Sequence, residues 1–247
     1  MARKALIRFL AAWIFSIVYW PLWVVCICLL SMATLPLMRH AARRRLGQRT
    51  IALALGSYMS ALEILGIIRV DDTDLRKHAT TPGPLIIACN HPALWDAPLV
   101  MRRIGRVFCV MKTDLGSNPL FCSGARFAGY VPNSPKLRMI RQAVKRLQEG
   151  GRLLLFPEGT RTRREHGLIN PFRPGLALLA QQSGAPVLPV FITTSNPYLG
   201  KGWPLWKMSE FPVSITFRVG ELIEIAPGER VRDFTGRLEQ RFRDGLE

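Results

Sequence analysis

His91 and Asp96 stand five positions apart in Asn90-His91-Pro92-Ala93-Leu94-Trp95-Asp96, directly after the apolar run Leu85-Ile86-Ile87-Ala88-Cys89. An imidazole held at one nitrogen by a carboxylate offers its other nitrogen as a base. This is the His–Asp part of a triad without a protein nucleophile, so the attacking group is an acceptor hydroxyl on a substrate. Other readings of the same residues exist. Asp96 could simply be an acidic first-turn residue favoured by the helix dipole. It could also be half of a metal site, although no further His/Asp/Glu cluster supplies the remaining ligands.

A second candidate group is Phe156-Pro157-Glu158-Gly159-Thr160-Arg161, again at the end of an apolar run, Arg152-Leu153-Leu154-Leu155-Phe156. Gly159 permits close approach of the backbone to a ligand. Thr160 offers a hydroxyl and Arg161 a planar cationic fork suited to phosphate oxygens, with Arg163 and Arg164 extending the cationic field. Alone, this stretch reads equally as a turn with solvated arginines.

The two groups together, about 65 residues apart, resemble the blocks of the PlsC-like glycerolipid acyltransferase family. Lys112-Thr113-Asp114-Leu115 with Pro119 and Gly124 is similar to that family's second block, Phe172-Arg173-Pro174-Gly175 to its F-[KR]-x-G segment, and Val187-Leu188-Pro189-Val190 to its fourth block. The resemblance covers about 85–225 and implies acyl transfer from a thioester to a lysophospholipid such as 1-acylglycerol-3-phosphate. It implies His91 as base and Asp96 as its orienting partner. Glu158, Gly159 and Arg161 would bind the acceptor's polar head and Pro189 would shape a substrate pocket, with Asn90, Lys112 and Thr160 counted among the substrate-binding residues. The co-substrate is acyl-CoA or an acyl carrier protein thioester, and no metal or other cofactor is expected.

One block departs from the pattern. The second block of the family ends in an acidic residue followed by an Arg that contacts the acceptor phosphate. Here Gly129-Tyr130-Val131-Pro132-Asn133-Ser134-Pro135 holds no Arg, and Lys136 and Arg138 follow it. Either one of these substitutes, or the acceptor is a specialised lipid of ornithine or polyene type. A non-enzymatic basic membrane protein is the remaining reading.

The elements that must position these residues are short apolar strands alternating with helices. Strands are expected at 85–89, 107–111, 152–156 and 187–192, with one or two more within 213–225. A helix is expected over 136–149, where Leu137, Ile140, Val144 and Leu147 share a face and Gly150-Gly151 stops it. Another runs from Gly175 to Gln182, and a charged surface helix from Glu229 to the end. The fold class is therefore α/β, with a mostly parallel central sheet flanked by helices. Sites in such sheets form at the carboxyl ends of strands, where both candidate groups lie. Candidate oxyanion donors are backbone N–H groups at the start of the helix after His91.

The domain spans 70–247, and residues 1–69 form a membrane anchor and an amphipathic helix. Phe9 to Met38 carries no charge over 30 residues, longer than the ~20 needed to cross a bilayer. Pro21 falls near its middle, where a bend is expected. The length and the arginines that follow argue against a cleaved signal peptide. Arg39, Arg43, Arg44, Arg45 and Arg49 place the chain beyond residue 39 in the cytoplasm, facing the inner membrane. Both a spanning and a re-entrant anchor fit. Residues 46–68 read as a helix on the membrane surface or docked on the domain.

The formal net charge of +17 fits anionic lipid and phosphorylated or carrier-bound substrates. Nucleic acid is not expected, because no soluble basic module interleaved with aromatics is present. The five cysteines show no CxxC spacing and read as reduced packing residues.

Overall fold

The computed structural model describes residues 2–78, 81–113 and 119–247. Seven strands form one sheet: β1 (Ile68–Asp71), β2 (Leu85–Cys89), β3 (Val107–Met111), β4 (Val131–Pro132), β5 (Arg152–Leu155), β6 (Val187–Thr194) and β7 (Val213–Val219). Their order is β1-β7-β6-β2-β5-β3-β4, and every pairing is parallel except β6 with β7. β2 lies at the centre with all five residues buried. Its alternation splits it between two cores: Leu85, Ile87 and Cys89 face one, Ile86 and Ala88 the other. Burial on both faces is why the strand reads as an unbroken apolar run.

The helices are α1 (Ala2–Ala33), α2 (His40–Ile64), α3 (Thr73–Lys77), α4 (Asp96–Ile104), α5 (Pro119–Ala128), α6 (Lys136–Gln148), α7 (Gly175–Ser183) and α8 (Val231–Leu246). Side chains of α1, α2 and α4 join the core on one face of the sheet, and those of α6, α7 and α8 the core on the other. The expectation for α8 changes: it is not merely a charged surface helix. Phe234, Leu238, Phe242 and Leu246 recur every four residues and are buried. Each fully buried side chain of this kind stabilises the fold by about 1.5–3 kcal/mol.

Two further differences concern the N-terminal half. α1 continues through Pro21 as one helix, so the proline does not end it. β1 and α3 form ahead of 85–89, the first strand expected; β1 has only four residues and lies at a sheet edge. α2 starts at His40 and docks on α4 and α5. Gly47 is required at that contact, because a Cβ there would come 2.5 Å from the Phe127 backbone. α2 is also tied to α1: Ser16 hydrogen-bonds Tyr58 at 2.8 Å, and Arg43 donates to the Ser31 carbonyl and hydroxyl at 3.0 and 2.8 Å.

The last turn of α4 is fixed by an ionic cluster. Asp72 accepts hydrogen bonds from Arg76, Arg102 and Arg103, and Arg102 also pairs with Glu63 of α2. Burial alone pushes the Asp72 carboxyl up, but the surrounding arginines hold it below the ordinary range. The helix whose first residue is Asp96 is thereby anchored at its far end.

Candidate active site

The carboxyl end of β2 leads into the turn 90–95 and then α4. Asn90 is buried and extends the sheet by side chain. Its amide donates to the Ile192 carbonyl at 2.8 Å and its Oδ1 accepts the Ile192 N–H at 2.7 Å. Asn90 thus locks β2 to β6 instead of facing a substrate.

His91 Nδ1 lies 2.8 Å from Asp96 Oδ2. The same oxygen accepts the Ala93 N–H at 2.8 Å. A carboxylate only accepts, so Nδ1 carries the proton and Nε2 keeps its lone pair. The His91 side chain is 18% exposed and that of Asp96 0%. The ring stacks on Phe156, centroids 4.0 Å apart at 18°, which fixes its plane. Burial pushes the Asp96 carboxyl above the ordinary range, while His91, the Ala93 N–H and the charge of Arg161 pull it back. Its Oδ1 is buried without a hydrogen-bond partner. That uncompensated oxygen strengthens the attraction Asp96 exerts on a positively charged imidazole.

The first N–H groups after His91 are engaged within the protein. Pro92 has none, Ala93 donates to Asp96, and Leu94 donates to the Leu199 carbonyl at 3.2 Å.

The turn after β5 is tied to the turn after β2. Glu158 is 2% exposed. Its Oε1 accepts the His91 N–H at 2.8 Å and the Thr162 hydroxyl at 2.9 Å, and its Oε2 accepts the Asn170 N–H at 2.8 Å. Thr162 N–H returns a bond of 2.7 Å to the His91 carbonyl. Burial pushes the Glu158 carboxyl up, against these hydrogen bonds. Glu158 is therefore turned inward, bracing the backbone of His91.

Arg161 is likewise engaged within the protein. Its guanidinium donates to the carbonyls of Leu199 and Gly200 at 2.8 and 3.0 Å. Leu199 has φ of +58°, the one non-glycine residue with positive φ among those described. Such a conformation costs about 1–3 kcal/mol and persists where its surroundings fix it; Arg161 and the Leu94 N–H do so here. Gly159 has φ of +69°, and a Cβ there would meet the Arg173 side chain at 2.8 Å. Arg173 thus lies against the turn as an exposed cation. Thr160 accepts a hydrogen bond of 2.9 Å from Lys201.

Lys112 is exposed at the carboxyl end of β3, on the same sheet edge as His91. Asp114 and Leu115 lie outside the described residues. Lys136 and Arg138 open α6 just beyond β4 and are exposed there. Pro189 sits inside β6, paired with Ala88, and is buried in the sheet away from the cavity described next.

That cavity, about 280 Å3, lies between α1, α2 and the turns 94–95 and 198–205. Phe9, Trp13, Tyr58, Leu62, Leu94 and Trp95 are among its lining residues. It adjoins the His91 turn through Leu94 and Trp95. Larger surface grooves, about 540 and 310 Å3, run along α8 and contain none of the motif residues.

Thr162, Asn170, Leu199 and Lys201 complete the site and were not singled out from sequence. Their roles are contacts across the chain, and no local spacing marks them. Among the described residues, no group of three or more His, Cys, Asp or Glu is placed to hold a metal ion.

The Acyltransferase family model matches residues 68–193. A 1-acyl-sn-glycerol-3-phosphate acyltransferase of Pseudomonas aeruginosa is 29% identical over 157 residues, covering 60% of this chain and 57% of its own length. The chloroplastic 1-acyl-sn-glycerol-3-phosphate acyltransferase BAT2 of Brassica napus is 21% identical over 148 residues, 58% of this chain and 42% of its own. The chain matches about half the length of these relatives. The crystal structure of the 1-acyl-sn-glycerophosphate acyltransferase PlsC from Thermotoga maritima superposes with a TM-score of 0.73 at 20% identity, over 98% of this chain and 96% of that one. At that identity the likeness concerns the fold. The family match spans just over half of the 247 residues and includes both motif turns and their strands; the chain belongs to the Acyltransferase family.

Proposed function

We propose that the protein transfers a fatty acyl group from an acyl thioester, on coenzyme A or acyl carrier protein, to the free hydroxyl of a lysophospholipid such as 1-acylglycerol-3-phosphate. The observation that carries this reading is the His91 Nδ1–Asp96 Oδ2 hydrogen bond of 2.8 Å, beside an apolar cavity sized for part of an acyl chain. His91 Nε2 takes the proton of the acceptor hydroxyl as its oxygen attacks the thioester carbonyl. Asp96 stabilises the imidazolium. Collapse of the tetrahedral species breaks the C–S bond, and the thiolate leaves with the proton returned from His91. Lys112, Arg173 and Lys201 supply positive charge around the sheet edge for a phosphate.

The relatives named above act on 1-acylglycerol-3-phosphate, which supports the same acceptor here. The missing Arg after Tyr130 favours a second reading, a specialised lipid acceptor. Lys136 and Arg138, exposed at the start of α6, are the cations available to replace it.

The anchor reading is an in-plane one. α1 exposes one apolar stripe along its length, including Ile7, Leu10, Ile14, Val18, Val25 and Met32. α1 also packs on α2 and α5. Standing this hairpin across a bilayer would carry the arginines of early α2 into hydrocarbon, each at a cost of several kcal/mol. Lying in the interface, α1 meets acyl chains and Arg39, Arg45 and Arg49 meet anionic headgroups. The membrane is the inner one, with the catalytic domain on its cytoplasmic side.

The test is thiol release from acyl-CoA by the purified full chain with a panel of lyso-lipids. Efficient use of lysophosphatidate, lost in His91→Ala, is the expected result. Turnover of an ornithine- or polyene-type acceptor in its place selects the second reading. Undiminished turnover by His91→Ala overturns both.

A further inference from the structure

The connection between β6 and β7 ends in an exposed apolar tip. Asn196 Nδ2 donates to the Glu210 carbonyl at 2.9 Å, closing the base of the loop. Lys207 N–H donates to the Pro204 carbonyl at 3.1 Å, closing a turn whose two corner residues are Leu205 and Trp206. Leu205 is 51% exposed and Trp206 77%. The turn is held rigid: Trp203 Nε1 donates to the Lys207 carbonyl at 2.9 Å, and Lys207 Nζ lies 4.7 Å from the Trp203 ring centre. Hydrophobic association within the chain does not account for such a tip, because Trp206 and about half of Leu205 stay exposed.

We propose that this turn is a second membrane contact, placing Leu205 and Trp206 in the lipid interface beside α1. The proposal rests on the reading that α1 lies on lipid. Three observations select lipid as the occupant. The tip is continuous with α1, since Leu205 lines the same cavity as Phe9 and Trp13, and Phe211 stacks on Phe9 at 6.2 Å. That stretch of α1 is itself exposed and apolar at Ile7 and Leu10. Exposed Lys201 and Lys207 flank the tip, as anionic headgroups require. A Trp at such a boundary keeps its ring among apolar groups and its N–H in contact with water.

The other end of the loop reaches the chemistry. Leu199 and Gly200 are gripped by Arg161, and Leu199 also by the N–H of Leu94, three residues after His91. The loop therefore forms a lip running from the bilayer to the catalytic turn, along the mouth through which an acyl chain enters.

The test uses the full chain and vesicles of phosphatidylcholine with a minority of phosphatidylglycerol, with and without bromine on the lipid chains. Co-sedimentation measures binding and quenching of tryptophan emission measures insertion. The wild type should lose a larger fraction of its emission than Trp206→Phe. Equal quenching with both proteins bound overturns the turn proposal alone. Failure of both proteins to bind overturns the α1 reading and this proposal with it. In a second arm, Trp206→Glu should raise the apparent KM for a vesicle-borne acceptor roughly fivefold, as loss of one partly buried large side chain implies. It should leave kcat/KM for a short-chain, water-soluble acceptor unchanged. Equal losses on both acceptors overturn the proposal, as does a lipid-free dimer that Trp206→Glu dissociates, because a second copy would then cover the turn.

Discussion

The turns that follow β2 and β5 begin alike and end differently. Each leaves a buried apolar strand at the same edge of the sheet, and each carries a charged motif. In the first, the His91 ring keeps one nitrogen without a partner and remains partly open. In the second, the Glu158 carboxylate is filled by three donors and Arg161 holds two carbonyls. The first turn is left chemically unfinished and the second is internally complete. The difference teaches that a polar motif at a strand end can serve a reaction by holding another motif still. Glu158 fixes the backbone of His91, and Arg161 fixes the loop hydrogen-bonded to Leu94, three residues after it.

The sharpest way to break this comparison is His91→Ala. Removing the base should lower kcat by ~10²–10⁴-fold, with little change in the unfolding midpoint, measured by thiol release and thermal melting. A drop in stability as large as that of a core substitution would mean that the first turn is also structural.

Glu158→Ala should do the reverse. Buried donors at His91 and Asn170 lose their acceptor, each costing about 1–3 kcal/mol. Thermal unfolding should shift down clearly, and kcat should fall as His91 drifts. An increase in KM for the acceptor at unchanged stability would return Glu158 to headgroup binding and erase the contrast.

Arg161→Lys separates the grip from the charge. A lysine keeps the positive charge but replaces the planar fork, whose Nη1 reaches both carbonyls, with a compact ammonium on a differently shaped stem, so the grip weakens, by about 1.5–3 kcal/mol for each charged bond lost. Faster proteolysis within the loop around Leu199 is expected before any large change in acceptor affinity. An affinity loss with an unaltered loop would show that the fork serves the substrate.

The smallest effect is in pH dependence. Asp96 and Glu158 both titrate above the ordinary range in the folded chain, chiefly through burial. The folded state then holds these protons more tightly than the unfolded state. Their contribution to stability is full below the ordinary carboxylate values of ~4 and is lost as pH rises through the raised folded values. Denaturant unfolding across that window should show stability declining with pH, and Asp96→Asn should flatten the slope. An unchanged slope assigns the proton linkage to Glu158 or to other groups.

The fold was legible where its signals were local. β2 and β3 have the boundaries that their apolar runs imply, and α6 ends within a residue of the expected place before Gly150. β1 escaped notice because four residues of an edge strand carry almost no periodic signal, and its partner β7 lies about 145 residues further on. α8 reads from sequence as a surface helix because its charges outnumber the four apolar residues that bury it.

The His91–Asp96 pair was legible for the same reason as the strands. Five residues of chain, one tight turn and the start of a helix bring the two side chains together without help from elsewhere. The sequence by itself determined this pair, the parallel α/β framework that exposes it, and the apolar face of α1. Only the tertiary structure decided what Glu158, Arg161 and the Leu205–Trp206 tip do. Their partners lie tens of residues away in sequence, Glu158 from His91 by 67 positions and Arg161 from Leu199 by 38. Whether a polar side chain faces a substrate or its own protein depends on which distant carbonyls and N–H groups the folded sheet brings within 3 Å, and no local pattern encodes that.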